Sequence, residues 1–95
     1  MKVYYLSHST RKDKKLMVKS AGGKTIHFGQ FGASDYTIHH DDNRKNLYML
    51  RHAKNEDWND LSTSGSWSYN LLWSKPSLKE AIKSMERRFS IRIIF

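Results

Sequence analysis

One segment narrows the possible folds more than any other: Pro76-Ser77-Leu78-Lys79-Glu80, followed by Ile82, Met85 and Phe89. Ser77 and Glu80 stand at capping-box spacing, which satisfies the open N–H groups of a first helical turn. Leu78, Ile82, Met85 and Phe89 then recur at helical intervals on one face, with Lys79, Lys83, Glu86 and Arg87 on the other. A helix with so sharp an apolar stripe must cover another element, because the stripe gains nothing from water.

The first third of the chain supplies what it covers. Val3 to Leu6 and Leu16 to Lys19 are short β-favouring runs, and Ala21-Gly22-Gly23 leads by a glycine turn into Lys24-Thr25-Ile26-His27-Phe28. These form an antiparallel meander, which Gly29 and Gly32 end in a loop, and Tyr36 to His39 is expected as one more short strand. Asp41 and Asp42 precede a helix over residues 44–54, with Leu47 and Leu50 inward and acids at the positive end of its dipole. Ser66 is expected to cap a shorter, buried helix in which Trp67 meets Leu71, or Tyr69 meets Trp73, one turn on. Ile91 to Phe95 is β-branched and closes the sheet. The expectation is one α+β domain over residues 1–95: a small antiparallel sheet of N-terminal meander plus C-terminal strand, packed with about three helices.

Composition narrows the function classes. No cysteine is present, which removes disulfides and thiolate metal sites. No apolar run approaches the ~20 residues of a membrane span, and Met1 to His8 lacks the apolar centre of a signal peptide, so an intracellular, soluble protein is expected. The net charge of +8 is unevenly spread: residues 1–34 carry +6, residues 35–60 carry −2 and residues 61–95 carry +4. Such a chain is drawn to acidic partners, nucleic acid or acidic protein, by a force that does not identify them. Lys12, Lys14, Lys15, Lys19 and Lys24 of the meander, with Lys79, Lys83 and Arg87 of the last helix and Arg88 beside them, are the candidate contacts.

Motifs for chemistry are weak. Gly22-Gly23-Lys24-Thr25 has the end of a phosphate-binding loop, but Val18 stands where its first glycine belongs and a strand follows, so a hairpin turn is expected. His27, His39, His40 and His52 lack the spacing of a metal site or a His-dependent nuclease, and no serine lies in a nucleophile elbow. No catalytic residue, metal or cofactor is assigned. Trp67 and Trp73 stand amid Leu71 and Leu72, which favours core packing over base stacking. Trp58, among Glu56, Asp57 and Asp60, suits a protein interface or a loop anchor, because its neighbours repel phosphate.

The runs Gly23-Lys24-Thr25-Ile26-His27-Phe28-Gly29, Ser34-Asp35-Tyr36-Thr37, Arg51-His52, Asn55-Glu56-Asp57-Trp58, Trp67-Ser68, Leu71-Leu72-Trp73 and Lys75-Pro76-Ser77-Leu78 resemble a family of small uncharacterised proteins encoded by large double-stranded DNA viruses. The resemblance covers roughly residues 16–89 and implies a viral setting. The expected function is that of a non-enzymatic virion structural protein, a minor capsid or packaged component, which meets other virion proteins or packaged DNA through its basic faces. The alternatives are a free nucleic-acid-binding protein of the infected cell and, in a different class, a small His-dependent nuclease.

Overall fold

A computed structural model describes all 95 residues. Strands β1 (Lys2–His8), β2 (Lys14–Ser20) and β3 (Thr25–Gln30) form the expected antiparallel meander, with Leu6 opposite Val18 and Leu16 opposite Phe28. Gly23, at φ 91°, makes the β2–β3 turn, where the Ser20 N–H donates to the Lys24 carbonyl at 2.9 Å. The hairpin-turn expectation holds there. Strand β3 runs past Gly29 rather than ending at it: that residue takes φ 76°, and the Leu72 side chain presses so close that a Cβ would stand 2.7 Å from its Cδ1.

Helices α1 (Tyr36–His39), α2 (Asp42–His52), α3 (Ser64–Ser68) and α4 (Leu78–Phe89) follow, α3 running on into a π-helical turn at Tyr69–Trp73. No helix is long and apolar enough to cross a membrane. The last strand, β4 (Ile91–Ile94), pairs with β1, giving the order β3-β2-β1-β4. The fold is α+β, as expected, but the sheet is mixed: β4 lies parallel to β1, with Lys2 beside Ile91 and Tyr5 beside Ile94. The helices make a long crossover from the meander, and α4 returns the chain to the end of the sheet where β1 began. Ser90, in the left-handed region at φ 54°, turns it into β4, whose Ile93 N–H donates to the Glu86 carboxylate at 2.9 Å.

Three local expectations are corrected. Tyr36–His39 is a helical turn, not a strand, because the Asp35 carboxylate caps it by accepting the Thr37 N–H at 2.9 Å; His40 closes it at φ 54°. Helix α2 is rotated about one residue from the expected register, which on a helix is roughly 100°. Leu47 and Leu50 are therefore 58% and 71% exposed, and Tyr48 turns inward onto Trp73 at 4.2 Å. The flat contact between two large rings buries more area than either leucine would. Helix α3 is capped by Thr63, three residues ahead of Ser66, whose hydroxyl is instead buried and donates to the Trp58 carbonyl at 2.8 Å. The Ser77 cap of α4 stands as expected, accepting the Glu80 N–H.

Alternation along the strands puts Tyr4, Leu6, Leu16, Val18, Phe28, Ile91 and Ile93 on one face, under the helices. Trp67 sits at the centre, fully buried, with its ring 5.0 Å from Tyr4 and its Nε1 donating to the Leu61 carbonyl at 2.9 Å. Trp67 and Trp73 are thus both core. All the helices lie on this face, so the other face of the sheet is bare.

Candidate nucleic-acid interface on the open sheet face

The bare face follows from the same register. Tyr5 stands opposite Lys19 on one side and beside Ile94 on the other; Met17 lies between Ser7 and His27; Lys19 faces Thr25, and Val3 lies beside Arg92. Tyr5 is 50% exposed, although its neighbour Tyr4 is buried. None of these nine residues is acidic, and Lys19 and Arg92 are both exposed and cationic. Lys19 stands directly across from Tyr5 on β2, about 4.8 Å away strand to strand, while Arg92 lies diagonally from it on β4, two residues before Ile94.

The upper edge of the face is tied to the β1–β2 loop. Ser9 Oγ lies 2.8 Å from His27 Nδ1, and the Thr10 hydroxyl reaches the Met17 sulfur at 4.0 Å. Ser9 so orients the His27 ring beside Met17, while Arg11 in the same loop is paired with Asp13 at 3.3 Å. An exposed aromatic with cations on the neighbouring strands, among residues none of which is acidic, can stack one base and hold nearby phosphates.

The predicted basic residues divide among five places. Lys19 lies on the open face, Lys24 in the β2–β3 turn on the side of Val18, Ile26 and Asp60, and Lys12 in the β1–β2 loop. Lys14 and Lys15 instead line a cleft at the far end of β2 and β3. Lys15 is a structural cation: its ammonium bonds at 2.5 Å to the carboxylate of Asp35, which is 3% exposed. Lys79, Lys83 and Arg87 project from the outer side of α4, in the layer on the other side of the sheet. Meander and last helix therefore do not build one surface. Tyr5 and Arg92 were not singled out from the sequence. Val3-Tyr4-Tyr5-Leu6 is apolar throughout, so its pattern does not say which tyrosine points outward. The histidines are also dispersed: His27 is on the open face, His39 packs on Trp73 at 5.4 Å, and His52 stacks on Tyr48 at 4.2 Å.

Trp58 anchors the acidic loop. Its ring stacks on Tyr69 at 4.0 Å, and its carbonyl accepts from both Ser66 Oγ and Asn70 Nδ2 at 2.8 Å. In that loop Asp60 accepts the Ser62 hydroxyl and N–H, bonds that hold its carboxyl below the usual range and keep the loop anionic. Asn70 is the joint: it also accepts from Arg88 at 3.4 Å, and Arg88 in turn donates to Asn59 at 2.6 Å. Asn70→Leu is expected to destabilise the fold by about 1–3 kcal/mol, since it strips partners from buried polar groups. A lowered urea midpoint with unchanged m-value is the check.

The model of a family described as a family of unknown function (DUF5754) matches residues 4–52, which hold the meander, α1 and α2. No curated protein and no solved structure matches the chain.

Proposed function

The chain belongs to the family of unknown function DUF5754, and we propose from its own surface that it is a non-catalytic protein that binds single-stranded nucleic acid on its open sheet face. The observation that carries this reading is Tyr5, half-exposed on a central strand with Lys19 directly across from it and Arg92 diagonally across, among face residues none of which is acidic. A four-stranded sheet, about 14 Å across at roughly 4.8 Å per strand, is wider than the major groove of about 12 Å, whereas the splayed bases of a single strand can lie along it and stack.

Binding to single-stranded DNA and to RNA is expected to exceed binding to duplex DNA at equal salt. The affinity should fall with added salt at a slope of about −0.7 for each phosphate held. A variant with Lys79, Lys83 and Arg87 changed to Ala should keep this preference. Salt-insensitive binding, or binding abolished in that variant, counts against the open face.

A second reading, a virion component docking on a partner protein, is supported by a different feature. Ile38, Leu47 and Leu50 of α1 and α2 are all more than half exposed. Isolated large apolar side chains on a surface are common, but three on neighbouring helices suit a protein contact. Absence of the protein from purified particles would remove this reading.

A further inference from the structure

A cleft of about 600 Å³ lies away from the open face, between the far end of β2 and β3 and one side of α2. Its volume is in the range of small-ligand sites. One wall carries Lys14, Lys15 and Asp35, the other Arg44, Leu47, Tyr48, Arg51 and His52, and Phe28, Leu72 and Trp73 contribute apolar surface. The start of α3, at Ser64 and Gly65, also lines it.

The charge of this cleft is not balanced. Lys15 and Asp35 neutralise each other, and Glu56 is the other acid of the lining, against Lys14, Arg44 and Arg51. None of those three cations is in an ion pair: the two pairs of the chain are Arg11–Asp13 and Lys15–Asp35. The cleft is also aromatic. Trp73, Tyr48 and His52 stack in sequence, with centroids 4.2 Å apart at each step and the Tyr48 and Trp73 rings only 8° from parallel. His52 ends the stack and is half-buried. Burial pushes the Tyr48 hydroxyl above its ordinary range, so Tyr48 contributes a neutral ring and not a charge.

Arg44, Tyr48 and His52 stand at i, i+4 and i+8, a single line along α2 of about 12 Å. We infer that this cleft binds a nucleoside 5′-phosphate, with the phosphate held by Arg44 and by Lys14 from the facing wall, and the base extending the ring stack on His52. Arg51 flanks the same line and adds a second cation for the phosphate or sugar. The phosphate-bearing nucleotide is either a free mononucleotide or the 5′-phosphorylated end of a strand; the recognition chemistry is shared. The site does not depend on the open sheet face, and a variant of that face should leave it intact.

The test is an NMR titration of the full chain with adenosine 5′-monophosphate, inorganic phosphate, and a short oligonucleotide with and without a 5′-phosphate. Shifts of Arg44, Tyr48, Arg51 and His52 with the mononucleotide are expected, weakened at least tenfold in Lys14→Ala/Arg44→Ala. His52→Ala should weaken the mononucleotide and not inorganic phosphate. If only the 5′-phosphorylated strand shifts these residues, the strand end is the source and the site stands. Equal affinity for phosphate and mononucleotide, or no shift at millimolar concentrations of any probe, overturns it. Arg44 is exposed and Lys14 and His52 are half-buried, and unchanged spectra elsewhere will show that the variants fold.

Discussion

The variant Tyr5→Ala/Lys19→Glu/Arg92→Glu is expected to lose single-strand binding by at least a hundredfold while melting within a few degrees of wild type. Stacking of one base on an aromatic contributes about 1–3 kcal/mol, and a kcal/mol figure of 1.4 is a factor of about ten in affinity. Reversing two cations removes their phosphate contacts and adds repulsion at the same place, so the combined loss reaches two or more powers of ten at low salt. The fold is spared because all three side chains are exposed. Lys79→Glu/Lys83→Glu is the control, since it changes the net charge by the same amount as Lys19→Glu/Arg92→Glu. If both pairs weaken binding equally, the net charge of +8 acts as a diffuse field and the open face is not the site. Tyr5→Phe keeps the ring and should bind as wild type does.

The α4 helix was legible to its boundaries because three independent signals coincide there: Pro76, the Ser77–Glu80 spacing and a clean apolar stripe. The meander was legible from its turns. The parallel placement of β4 was not, because the β-favouring run Ile91-Arg92-Ile93-Ile94 suits either strand direction and only the path of the helices decides which end it enters. Helix α2 was legible as a helix, but its rotation was not. Leu47, Tyr48 and Leu50 are all suited to burial, and the decision falls to Trp73, twenty-five residues from Tyr48 and stacked on it.

The candidate sites divide along the same line. Lys19 was found by its charge, whereas Tyr5 and Arg92 needed the pairing register of β1 with its two neighbours. The acidic balance of residues 35–60 hid Arg44 and Arg51, because summing charge over a segment discards the helix face that carries it. A single sign was visible at Arg44, Tyr48 and His52, one turn apart, yet that spacing becomes a site only when β2 and β3 supply the facing wall.

Trp67→Ala is the substitution expected to damage the protein most. Trp67 joins the two layers: it meets Tyr4 of β1 at 5.0 Å and Phe28 of β3 at 6.3 Å, and it bonds the loop at Leu61 through Nε1. Truncating a fully buried Trp costs about 3–5 kcal/mol, against a total of roughly 5–15 kcal/mol for a domain. At about 4–8 °C per kcal/mol for a domain of this size, the melting temperature should fall by more than about 12 °C. Trp67→Phe keeps most of the packing and gives up the bond to Leu61, so it should cost less, on the order of 1–3 kcal/mol for the unpaired carbonyl and the smaller ring. Circular dichroism melts of the two variants separate these contributions. A Trp67→Ala protein melting within a few degrees of wild type would mean that Trp67 is not what holds the helices to the sheet. The open face is bare only because every helix is gathered on the Trp67 side, so the same residue that stabilises the fold leaves Tyr5, Lys19 and Arg92 free to meet a strand.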